Sequence, residues 1–176
     1  MSSFPNIRYG DWGDEKIAQS TKIGNYPLET TMVLPDHSEY AHAKAGTAAL
    51  NPGQLVVQGS TIPDHGCGTA DNLLCSSAAI GSKTITVTAG GTTAIAKDFY
   101  EDGNIFIRDD TGQGVTYKIK SNNSTATGST AVVTLYENDA VAVAIGASAT
   151  AGLRINPYST VITRAAGTAM VGPVVG

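Results

Sequence analysis

The side chains of this chain best suited to bond-making are two cysteines, three histidines and a few neighbouring carboxylates. Cys67 and Cys75 are separated by seven residues, which does not match the two-residue spacing of zinc knuckles or redox turns. Two unpaired, partly buried thiols are favoured over a local disulfide clip. His37, His42 and His65, with Asp36 and Asp64, could in principle gather round a metal, but nothing in their spacing demands it. The acidic groupings Glu101-Asp102, Asp109-Asp110 and Glu137 with Asp139 could bind calcium or flank a glycosidic bond. Each stands where the chain should turn, and turns attract Asp and Asn for conformational reasons alone.

Phosphate and nucleophile patterns are broken in the same way. Gly112-Gln113-Gly114 is followed by Tyr117 where a dinucleotide loop needs glycine, and it lies between strand-like segments with no helix to follow. Gly81-Ser82-Lys83-Thr84 suggests a phosphate loop until its earlier glycine is sought, where Ser76 stands. No serine is framed by glycines as in a nucleophile elbow. The sequons Asn122-Asn123-Ser124 and Asn123-Ser124-Thr125 matter only in a secreted protein. No catalytic residue, metal ligand or cofactor site is therefore expected.

The elements that would carry these residues read as strands. Thr84-Ile85-Thr86-Val87-Thr88 alternates with period two, and Asn104 to Arg108, Val115 to Lys120 and Ala131 to Tyr136 are similar runs bounded by Gly- and Asp-rich turns. Ser121 to Thr130 is expected to be a polar surface connection, too hydrophilic for the core. Residues 141–145 and 160–163 could add strands. In the N-terminal zone, Pro5, Pro27 and Pro35 interrupt regular structure. It reads as an extended arm with at most a short helix near residues 14–19, and with Thr30 to Leu34 and Glu39 to Lys44 able to pair as a hairpin. The expected fold is all-β, a small β-sandwich or barrel with an extended N-terminal arm and an apolar C-terminal tail. The expected organisation is an arm over residues 1–52, a β-rich core over 53–145, and a strand or tail over 146–176 that docks on a neighbouring subunit.

Composition narrows the function classes. Among 176 residues there are 23 Ala, 21 Thr, 20 Gly and 13 Ser, while charged residues make up 15% and the net charge is −4. An acidic chain without Lys or Arg runs has no sequence-independent grip on nucleic acid. No stretch approaches the roughly 18 apolar residues of a membrane span, and the start, MSSFPNIRYGDWGDEK, lacks the basic and apolar regions of a signal peptide. A protein made in the cytoplasm, bound to neither nucleic acid nor membrane, is expected.

Arg8-Tyr9-Gly10-Asp11-Trp12-Gly13-Asp14-Glu15-Lys16, Thr31-Met32-Val33-Leu34-Pro35-Asp36 and His42-Ala43-Lys44-Ala45-Gly46 leading to Asn51-Pro52-Gly53-Gln54-Leu55 resemble virion structural proteins of tailed bacteriophages. So do Thr111-Gly112-Gln113-Gly114, Tyr117-Lys118-Ile119-Lys120-Ser121-Asn122 and Val133-Thr134-Leu135-Tyr136, and the similarity spans most of residues 1–145. The resemblance implies a non-enzymatic protein that decorates or cements a capsid shell in the virion, assembled in the host cytoplasm. Its implied partners are the major capsid protein and copies of itself in a homo-oligomer. On that reading Tyr9, Trp12 and Tyr26 are the intersubunit anchors, because aromatic side chains dominate interface energetics. A glycan- or host-binding β module of a fibre and a self-polymerising filament subunit are the alternatives. A hydrolase is retained only for the paired carboxylates.

Overall fold

The structure, a computed structural model, describes residues 7–14, 26–46, 48–51, 54–59, 62–66, 73–90, 92–163 and 174–175. The Cys67 side of the cysteine pair, most of the expected helix near 14–19 and residues 164–173 of the tail lie outside them. The described residues form an all-β protein with no α-helix. The chain divides into two compact units, Thr61–Asn156 on one hand and Met1–Ser60 with Pro157–Gly176 on the other.

The central unit is a closed six-stranded barrel. Its strands are β5 (Leu73–Cys75), β6 (Thr84–Thr88), β7 (Asn104–Ile107), β8 (Thr116–Asn122), β9 (Thr130–Leu135) and β10 (Thr150–Arg154). They run in the order β10-β5-β6-β9-β8-β7, and β7 pairs with β10 to close the ring. Closure follows from alternation. Ile85 and Val87 of β6, Ile105 and Ile107 of β7, Tyr117 and Ile119 of β8, and Ala131, Val133 and Leu135 of β9 all point inward and are at most 2% exposed. Small barrels are filled by such layers of side chains, and a closed sheet has no free edge. β10 lies within the segment read from sequence as tail. Its Thr-Ala-Gly-Leu-Arg run holds two small residues, so its inward face, Ala151 and Leu153, gives a weak periodic signal.

Both barrel ends are plugged by connections. Residues 89–103 carry Ile95 and Tyr100 into one end, and an isolated bridge pairs Ile95 with Thr125. Residues 136–149 carry Val141, Ile145 and Ala149 into the other, where Ala78 bridges Ile145. Residues 141–145 thus contribute a plug and a single bridge rather than the expected strand. The polar connection is also shorter than expected. β8 runs on to Asn122 through a register shift between Ile119 and Ser121, and β9 begins at Thr130. Asn122 is buried despite its polarity.

The second unit holds two small sheets. In the first, β1 (Ile7–Tyr9) lies parallel to β2 (Thr31–Val33), which pairs antiparallel with β3 (Glu39–Ala41). The β2–β3 hairpin has the expected place and turn: Asp36 accepts hydrogen bonds from the Ser38 amide and hydroxyl, and His37 takes φ 65°. In the second sheet β4 (Val56–Val57) lies between β11 (Ile162–Thr163) and β12 (Val174–Val175), both antiparallel to it. The strand of the tail pairs with β4 of its own chain. Gly59 permits this second sheet's close approach to the following chain, since a Cβ there would meet the Thr160 carbonyl oxygen at 2.3 Å. Any side chain at this position would displace backbone.

Candidate functional site

The residues that could do chemistry are built into turns. Asp64 accepts hydrogen bonds from the Thr92 amide (2.8 Å), the Thr92 hydroxyl (2.9 Å) and the Thr93 hydroxyl (2.9 Å). These bonds hold its carboxyl below the usual carboxylate range. Asp109 accepts from the Thr150 amide at 2.6 Å, and its carboxyl is likewise lowered, chiefly by that bond. Asp139 accepts from the Lys118 amide. Asp102 is fully buried with φ 60° and accepts from the Tyr136 hydroxyl. Burial first, and this carboxylate second, push the Tyr136 phenol well above its ordinary value. The expected turn roles of the acidic groupings are therefore visible atom by atom: Asp102, Asp109 and Asp139 each tie one segment to another.

The histidines and cysteines are dispersed. His37 sits in the β2–β3 turn and His42 faces the Pro27 carbonyl at 3.3 Å. His65 is fully buried, its Nδ1 2.6 Å from the Tyr100 hydroxyl and its Nε2 2.9 Å from the Thr93 carbonyl. No cluster of three potential metal ligands occurs among the described residues. Cys75 is a free thiol, 2% exposed on the inner face of β5, and burial with the nearby Asp109 charge pushes it up to about 11. A reactive cysteine needs the opposite environment. The Gly112-Gln113-Gly114 and Gly81-Ser82-Lys83-Thr84 stretches are turns leading into strands. Gly112, Gly114 and Gly81 adopt positive φ, and Ser82 bonds the backbone of Thr84.

The three aromatic residues expected to be anchors lie in the second unit. Tyr9 is 87% exposed at the end of β1, and Trp12 is 67% exposed three residues on. Trp12 is thus not packed into its own unit. Tyr26 is half-buried, and the Arg8 guanidinium lies over its ring at 4.3 Å from the centroid, a cation–π contact. Alternation along β1 places Ile7 and Tyr9 on one face of the sheet and Arg8 on the other, level with Met32 and Tyr40. The structure thus brings Tyr26 to Arg8 on one face and sets Tyr9 on the opposite face. Sequence reasoning missed Ile7 and Tyr40, 46% and 41% exposed: Ile7 lies on the Tyr9 face of the sheet and Tyr40 on the Arg8 face. Their alternation with Arg8 and Glu39 was the available signal. No residue of this sheet is buried.

The fold and site define a class: an all-β protein with a side-chain-filled barrel and a second, thinly cored unit that exposes aromatic residues. Compared with protein-family models, with curated proteins and with solved structures, the chain has no match.

Proposed function

We propose that this chain is a non-enzymatic structural protein of a tailed-bacteriophage particle, decorating or cementing the capsid shell through its N- and C-terminal segments. One contrast carries the reading. The barrel encloses a contiguous core of twenty buried residues, whereas the described residues of the second unit include two buried large apolar side chains, Leu34 and Val161. That same unit holds Ile7, Tyr9, Trp12 and Tyr40 in solvent. Partly apolar sheets with little interior of their own gain most when a second surface covers them. An edge strand such as β1 also offers backbone groups to a neighbour's strand. The low charge and the use of reactive side chains as turn fasteners suit a protein that works by covering surface.

Co-sedimentation with the capsids of the phage that encodes the chain tests this. Full-length protein should pellet with the shells, and a chain lacking residues 1–25 should remain in the supernatant. Tyr9→Ala combined with Trp12→Ala should weaken retention about tenfold or more, each buried aromatic anchor contributing about 1 kcal/mol or above. Undiminished pelleting of the deletion variant would discard the arm as a docking element.

A further inference from the structure

A groove of about 580 Å³ opens on the barrel unit beside β7 and the end of β10, lined by outward-facing residues and by parts of the core residues Tyr100, Ile107, Leu153 and Ile155, and is within the size range of small-molecule sites. It is assembled from four separate stretches: around Ile62 and Gly66, from Tyr100 through β7, from Gly114 into β8, and at the end of β10. Alternation turns Asn104 and Phe106 outward, since Ile105 and Ile107, which alternate with them, are buried in the barrel. Across the sheet, Phe106 stands level with Gly152 on one side and Thr116 on the other. Gly152 has no side chain to cover the ring, so Phe106 stays half-exposed beside Ile62 as an aromatic floor.

The neighbouring row is polar: Arg154, Asn104 and Lys118 stand level on β10, β7 and β8. Arg154 is exposed and lines the groove together with Asn104 and Thr116. Lys118 stands level with Asn104 but outside the groove's lining. Arg154 thus brings an exposed positive charge to the groove of a protein whose net charge is −4.

From this arrangement we infer that the groove binds an acidic saccharide, a sugar ring bearing a carboxylate. The apolar C–H face of a pyranose matches the exposed Phe106 ring. The Asn104 amide and Thr116 hydroxyl can each donate to and accept from ring hydroxyls. The planar guanidinium of Arg154 presents the forked donors that a carboxylate takes two at a time. A neutral sugar would leave that charge unused, and an acidic peptide would leave the aromatic floor without a flat partner. This site is independent of capsid docking, since it lies wholly in the barrel unit.

Titration calorimetry on the full chain tests the assignment, with tri-galacturonate, the neutral galactotriose and tri-glutamate as probes. Tri-galacturonate should bind, weakening as salt rises, and galactotriose and tri-glutamate should each bind at least about tenfold more weakly. Arg154→Ala and Phe106→Ala should each weaken tri-galacturonate binding about tenfold, and Arg154→Lys should fall between the first of these and the natural chain. Arg154 is exposed, so its two variants carry the test even if Phe106→Ala fails to fold. Tyr9→Ala should leave binding unchanged. No binding of tri-galacturonate, equal binding of galactotriose or tri-glutamate, or indifference to the Arg154 variants would overturn the inference.

Discussion

The carboxamide of Asn122 accepts a hydrogen bond from the Tyr100 amide at 3.0 Å and donates to the carbonyls of Ala96 at 2.7 Å and Asn123 at 2.9 Å. One side chain thereby fixes the connection that plugs the barrel end. Asn122→Ala would strand the buried Tyr100 amide, at a cost of roughly 1–3 kcal/mol. Urea unfolding should show a loss of about 1–3 kcal/mol, and a change below about 0.5 kcal/mol would refute the assignment. Titrating residues act at both pH extremes. Asp64 and Asp109 have carboxyls lowered from 3.8, so their contributions are present above that pH and fade as pH falls through the lowered values. Cys75 is raised from 9.0 to about 11, so its contribution is complete below pH 9 and is lost between pH 9 and about 11. Tyr100 and Tyr136, both raised from 10.0, add to the alkaline loss at higher pH. Stability measured by denaturant from pH 7 to 11 should decline from about pH 9, and Cys75→Ala should delay the onset. From sequence, Asn122 read as loop polarity because nothing local shows that β8 continues through Ser121.

At the scale of elements, alternation made β6 and β8 legible through a polar outer face and an apolar inner one, and β7 and β9 through their apolar inner residues and flanking turns. β5 is three residues long and β10 is diluted by Ala151 and Gly152, so neither offered a period to read. The β2–β3 hairpin was legible from its Pro35-Asp36-His37-Ser38 turn. The parallel partnership of β1 was not, since it depends on contacts more than twenty residues away. The groove was invisible for the same reason, being drawn from four separate stretches. Gly103 shows how tightly these elements meet: a Cβ there would lie 2.2 Å from the Arg154 carbonyl oxygen and 2.9 Å from that of Tyr100. Both obstacles are backbone, so neither can swing aside. Gly103→Ala should cost about 3 kcal/mol or more through displaced backbone and lost pairing between β7 and β10. A thermal melt unchanged by this substitution would contradict the packing described.

For the whole molecule, the two units differ in how much of their stability is their own. All twenty residues of the main core lie between Leu73 and Ile155, inside the barrel unit, and the ring leaves no edge needing a partner. A fragment spanning residues 61–156 should therefore fold alone, with a cooperative thermal transition and dispersed amide resonances. A molten fragment would show that the barrel depends on the terminal segments. The described residues of those segments, by contrast, expose Tyr9 and Trp12 and include few buried apolar side chains, which is why the proposed capsid docking is placed there. Quantitative mass spectrometry of gradient-purified virus particles tests that central claim most directly, by counting copies of this chain against the shell subunit. The account predicts a fixed, near-integral ratio that survives high-salt washing. Absence of the chain from intact particles, with all of it recovered as a free species, would contradict it.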